Sequence, residues 1–202
     1  MTVEHPVPTG NTYDKYGSSN PIERRLMATF MARLDDALPA VPPERILEVG
    51  VGEGEVADRV AQRYPDAFVT GIDLPDPSLA DHWSSKRFAA SFADIEQLPF
   101  GDAGFDLVLA IEVLEHVPDP AAALRELRRV ARGDVVFSVP REPIWRVANL
   151  ARGKYWGDLG NTPGHIQHWS RSAFVRQVGA HFDVTTVHSP TPWTMVAARV
   201  PG

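Results

Sequence analysis

Cysteine is absent from the 202 residues, which removes disulfides, thiolate metal ligands and a cysteine nucleophile together. No apolar run approaches the roughly 20 residues that a membrane-crossing helix requires. Positive charge is in deficit. Lys and Arg number 20 against 26 Asp and Glu, a formal charge of −6, whereas a nucleic-acid-binding surface is normally basic. The clustered cations Arg141, Arg146, Arg152 and Lys154 read as a solvated face. Residues 1–17 are polar and Pro-containing and lack the basic-then-apolar order of a secretory leader, so a cytoplasmic protein is expected. The length suits one domain over 1–202.

A helix is expected after Asn20. Asn20 can cap it, Pro21 suits its first turn, and Glu23 stands where a capping box places an acid. Ile22, Leu26, Phe30 and Leu34 then recur at helical spacing, and the prolines at 39, 42 and 43 end the pattern. With 1–19, this helix forms an N-terminal arm-and-helix unit over 1–40.

Strands and helices alternate from there. Strands are expected at 46–49, 68–72, 87–92, 105–111 and 135–139, and helices at 54–63 and from Pro120, capped by Asp119 and closed by Gly133. The stretch around Pro75 and Pro77 reads as irregular. A helix over 172–178 precedes strands at 182–187 and 194–199, joined by a short Pro-containing turn. The implied fold is α/β: a doubly wound, seven-stranded, mostly parallel sheet with an antiparallel hairpin at one edge.

Between lies 141–169, rich in aromatic residues (Trp145, Tyr155, Trp156, Trp169) and in Gly and Pro. It reads as an irregular substrate loop or lid, assisted by Tyr13 and Tyr16. The alternative is that its tryptophans fill a satellite core.

The first strand, Ile46-Leu47-Glu48-Val49, runs into Gly50-Val51-Gly52-Glu53-Gly54 and a helix. Glycines there let backbone approach a ligand closely. The spacing is neither the dinucleotide fingerprint nor a P-loop. Two acids at later strand ends strengthen the signal. Asp73 can accept both hydroxyls of a ribose, and Asp94 can accept from an adenine amino group. Doubly wound sheets bind ligands at such strand ends.

Glu48 to Gly54, Gly71-Ile72-Asp73, Ala93 to Phe100 and Phe105 to Leu109 together resemble the class I S-adenosylmethionine-dependent methyltransferases. The resemblance spans roughly 45–199. It implies that Glu48 and Gly50 lie near the methionine part of the cofactor and that Gly52 and Gly54 complete the loop. It further implies that Asp73 holds the ribose, that Leu74 packs on the adenine, that Asp94 binds its amino group, and that Ile95 and Ile111 also contact the cofactor.

After the central strand, Glu112, Glu115 and His116 fall at i, i+3 and i+4. In a helical turn they would share one face, where a divalent cation would relieve the repulsion of two carboxylates. A solvated acidic turn with His116 near the cofactor is the other reading. Downstream, Gly164 to Arg171 reads G-H-I-Q-H-W-S-R. The pairing of E-x-x-E-H with this histidine resembles metal-dependent O-methyltransferases, and implies Glu112, Glu115, His116 and His165 as ligands of Mg²⁺ or Mn²⁺. His168 has no counterpart there and is assigned as a base or substrate contact. In metal-free transfer His116, His165 or His168 would be the base.

The expectation is therefore O-methylation of a small molecule such as a phenol, sugar or natural product, with a metal as an optional aid. A metal-independent C- or N-methyltransferase is the alternative. RNA methylation and a non-catalytic cofactor-binding subunit rank lower. A small-molecule partner is expected, nucleic acid is not, and a homodimer is left open.

Overall fold

The computed structural model describes residues 20–153 and 155–202. Tyr13 and Tyr16 lie outside the described residues. The element order is α1 (Pro21–Ala37), β1 (Arg45–Val49), α2 (Glu55–Arg63), β2 (Phe68–Asp73), α3 (Pro77–Trp83), β3 (Ala89–Phe92), β4 (Phe105–Ile111), α4 (Pro120–Val130), β5 (Ala131–Pro140), α5 (Ile144–Ala151), α6 (Arg171–Gly179), β6 (Asp183–His188) and β7 (Trp193–Arg199). Short 3₁₀ turns cover Leu114–His116 and Trp156–Asp158.

One sheet holds all seven strands in the order β3-β2-β1-β4-β5-β7-β6. The first five pair in parallel; β7 runs antiparallel between β5 and β6. The expected doubly wound sheet with an antiparallel edge hairpin is what forms. Chain order reverses between β1 and β4, and at such a switch point the flanking connections leave in opposite directions and open a crevice.

The two faces of the sheet follow the period of two along each strand. On β4, Leu107, Leu109 and Ile111 pack with Phe30 and Leu34 of α1 and Val56 and Val60 of α2. Val108 and Ala110 turn to the opposite face, against Leu124 and Leu127 of α4 and Phe174 of α6. Every residue of β4 but Asp106 is buried, as its near-continuous apolar run predicts for a central parallel strand.

Helix starts obey local capping chemistry. Asn20 Oδ1 accepts from Ile22 N–H, and Asp119 Oδ1 from Ala121 and Ala122 N–H. The irregular stretch expected around Pro77 is instead a short helix, α3, with Asp76 accepting from Ser78 N–H and the proline in its first turn.

Gly133, expected to close α4, lies inside β5. The helix ends at Val130 and the chain enters the sheet at once. There the β4–β5 pairing shifts register: Phe105 pairs with Ala131 and Leu107 with Asp134, so β5 carries one extra residue opposite Asp106. A Cβ on Gly133 would overlap the Asp106 carbonyl oxygen, so only glycine passes the bulge. Gly133→Ala is expected to destabilise the protein by about 2 kcal/mol through this overlap, measured as a lowered urea midpoint with unchanged slope.

The segment 141–169 is not irregular throughout. Trp145 and Asn149, four residues apart, are buried on one side of α5. Asn149 Nδ2 donates to the Gly160 carbonyl and to Thr162 Oγ1, and Trp145 Nε1 donates to the same hydroxyl. These bonds fold the following loop back onto the helix. Trp145 is buried in the core cluster on the α1 face of the sheet, whereas Trp156 is 68% exposed. Among the described residues no helix is long and apolar enough to cross a membrane.

Candidate active site

A cavity of about 550 Å³ opens at the carboxyl ends of β1, β2 and β4, within the size range of small-molecule sites. Glu48, Gly50, Gly52 and Gly54 line one end of it, with Asp73, Leu74, Asp94 and Ile95 beyond. Ile111 lines it as well. All nine residues assigned to cofactor binding from the sequence therefore meet in one place.

Two of them show why these residue types are needed. Gly50 has φ +67°, and a Cβ there would also overlap Val113 Cγ2. A side chain would be strained and would push apart the β1 and β4 loops. Asp73 accepts from Gly52 N–H at 2.7 Å and from its neighbour Leu74 N–H at 2.8 Å, so it holds the glycine loop against the end of β2. Burial pushes its carboxyl up, while the two N–H groups pull the other way.

Glu48 is 2% exposed, and its Oε2 receives no hydrogen bond among the described residues. Burial, and then the nearby Asp73, raise its carboxyl well above the ordinary value. A buried carboxylate short of a donor is costly. It fits a ligand that brings a positive or N–H-bearing group to the Gly50 end, as an amino-acid ammonium does. The glycine cradle, the Asp73 carboxylate and Glu48 together fit a nucleoside carrying an amino-acid tail.

The E-x-x-E-H stretch does not form one helical face. Glu112 has φ +59°, and only Leu114–His116 coil, in a 3₁₀ turn. The structure accordingly divides the four proposed metal ligands. Glu115, His116 and His165 each bring one ligand atom into a group whose members all lie within 4.8 Å of one another. The Glu112 carboxylate is held elsewhere, accepting from Ser138 Oγ at 2.9 Å and Trp193 Nε1 at 2.7 Å. The left-handed residue at 112 breaks the helical geometry in which positions i, i+3 and i+4 share a face.

Around the three-residue group, Glu115 and His165 are buried, and the two imidazoles meet edge to face at 4.8 Å. His116 Nδ1 lies 2.9 Å from the Gly164 carbonyl. A carbonyl only accepts, so Nδ1 carries a proton and, in the neutral ring, Nε2 keeps the lone pair. Metal-ligating histidines are oriented by such a bond. The Glu115 carbonyl accepts from Ile166 and Gln167 N–H, which fixes the 164–167 segment over the turn. His165 stacks on Trp145.

His168 belongs to a different surface. It is exposed, is absent from the cavity lining, and has Nε2 2.9 Å from Arg146 Nη2 and 2.7 Å from Asn161 Oδ1. Burial and the Arg146 charge lower its pKa. Its assignment as a base in the cavity finds no support in this placement. Of the 141–169 segment, Gly164 and Ile166 reach the cavity. Phe30, Met27 and Trp193 also line it and were missed. Phe30 follows the apolar stripe of α1 and is also core, and nothing in the local pattern marks Trp193 as facing a ligand.

A methyltransferase-domain family model matches residues 47–139. The ubiquinone biosynthesis O-methyltransferase of Hahella chejuensis is 32% identical over 162 residues, covering 70% of this chain and 67% of that protein. The malonyl-[acyl-carrier protein] O-methyltransferase of Geobacter sulfurreducens is 34% identical over 131 residues. That match covers 62% of this chain, which spans only 47% of the relative's length. Among solved structures, an S-adenosylmethionine-dependent methyltransferase from Mesorhizobium loti aligns with a TM-score of 0.66 at 21% identity, over 85% of this chain and 97% of that one.

Proposed function

Because this chain belongs to the class I S-adenosylmethionine-dependent methyltransferases, we propose that it methylates a hydroxyl of a small molecule, with a divalent cation at Glu115, His116 and His165. The observation that carries this reading is the convergence of those three ligand atoms beside a cavity that His116 itself lines. The relatives named above are O-methyltransferases, which supports an oxygen acceptor.

S-adenosylmethionine, when bound, supplies an electrophilic methyl group on a sulfonium sulfur. The protein's part is mainly alignment, since in-line displacement needs the nucleophile held on one axis. Asp73 and the Gly50–Gly54 loop hold the nucleoside and amino-acid ends. A cation held by two imidazoles and one carboxylate would lower the pKa of a coordinated hydroxyl and fix its direction. Such a donor set suits Mn²⁺ better than Mg²⁺, which favours oxygen ligands throughout.

Titration of Mn²⁺ into protein saturated with S-adenosylhomocysteine tests the site. One equivalent of heat-releasing binding is expected, lost in both Glu115→Ala and His165→Ala, with catechol methylation by the holoprotein lost alongside. Absence of Mn²⁺ binding with catechol turnover intact would replace the cation by His116 as base.

A further inference from the structure

We propose that Glu112, locked by Ser138 and Trp193, is the charge partner of the bound methyl donor's sulfonium, with Trp193 as its positioning residue. The inference rests on the cofactor reading above and assigns Glu112 a role separate from the metal group.

Three observations place the carboxylate. Its neighbour Val113 is the residue a Cβ on Gly50 would strike, so 112–113 borders the end of the cavity assigned to the methionine. Glu112 itself lines the cavity. Its side chain is pinned from β5 by Ser138 Oγ and from β7 by Trp193 Nε1, on the side of β4 away from the nucleoside-binding β1 and β2. The carboxylate is therefore held at the wall of the cavity next to the Gly50 end, on the β5–β7 side of the crevice.

The backbone is arranged for the same end. Glu112 N–H donates to the Ser138 carbonyl at 3.0 Å, so main chain and side chain are both tied to Ser138. Holding a non-glycine residue at φ +59° costs conformational energy, and such residues concentrate where function demands a fixed side chain. Trp193 is 6% exposed, with its ring against Phe30 at 5.0 Å and Trp145 at 5.9 Å. Its N–H direction is thus set by aromatic packing, and its one polar atom is spent on Glu112.

A fixed negative charge at this point attracts the cationic donor and has no such attraction for the neutral thioether product. In a partly desolvated cavity the difference is far larger than it would be in water. Methyl transfer removes the positive charge and with it the reason for tight binding, which favours exchange of product for fresh donor.

Calorimetric affinities for S-adenosylmethionine, its amine analogue sinefungin and S-adenosylhomocysteine test this, with melting curves as a check on folding. Glu112→Gln is expected to weaken the two cations about tenfold and the neutral product less than twofold. Trp193→Phe keeps the ring contacts and removes the N–H; it should shift the ratio in the same direction by about threefold. An unchanged ratio in Glu112→Gln, whether all three ligands weaken together or none does, overturns the proposal. An unchanged ratio in Trp193→Phe removes the positioning role of Trp193. Should Glu112→Gln not fold, the ratio in Trp193→Phe and Ser138→Ala decides. Failure of the wild-type protein to bind any of the three would instead overturn the cofactor reading.

Discussion

Replacing Asp73 by Ala should weaken S-adenosylhomocysteine binding by about 100-fold, since a carboxylate accepting two sugar hydroxyls makes charge-assisted bonds of about 1.5–3 kcal/mol each. The loss has two sources. Asp73 would no longer meet the ribose, and it would no longer hold Gly52 N–H at 2.7 Å. Asp73→Asn separates them, because an amide oxygen can still accept from Gly52 while the charge is gone. An intermediate affinity is expected for Asn, measured by calorimetry at constant pH. Equal affinity in Asn and wild type would show that the loop tether, not the ribose contact, sets binding.

The second large effect concerns stability. Glu48 is buried, and its folded-state pKa is raised above the ordinary 4.5. Between that value and the raised one, the folded chain binds more protons than the unfolded chain, so stability falls as pH rises. Above the raised value the penalty is complete. Glu48→Gln removes the ionisable group while keeping the shape of the protonated form. The ligand-free variant should therefore melt higher than wild type at pH 8, by about 3 °C or more. The two curves should converge as pH approaches 4. The same variant should bind S-adenosylhomocysteine more weakly, by about tenfold, because Glu48 is then no longer able to attract the amino-acid ammonium. A variant less stable than wild type at pH 8 would mean that the carboxylate has a partner in the ligand-free protein. Stability and binding are here opposed at one side chain, as is common where a site holds a buried charge for its ligand.

Much of the site was legible before the fold because its groups sit at strand ends. A buried parallel strand announces itself as an apolar run, and β4 matches its expected bounds for that reason. The glycine loop and the acids at 73 and 94 follow strands directly, so locating the strands located them. All nine line the cavity. Where chain geometry departs from regular structure, the local pattern misled. Glu112 was grouped with Glu115 and His116 by helical spacing, but its positive φ turns it toward Ser138 and Trp193. Gly133 looked like a helix stop because nothing near it in the sequence reveals that β5 bulges there, opposite Asp106 of β4.

The sequence by itself determined the sheet, the switch point and the nine residues that line the cavity at the strand ends, because period, glycine placement and strand-end acids are properties of short segments. Only the tertiary structure decided that Glu112 stands apart from Glu115, His116 and His165, and that His168 does not line the cavity. It alone brought Trp193 across 81 positions to Glu112. Those pairings depend on how β7 inserts between β5 and β6 and on how the 164–167 segment bonds to the Glu115 carbonyl. Contacts of that range arise from packing the whole sheet, and no local pattern of residue types encodes them.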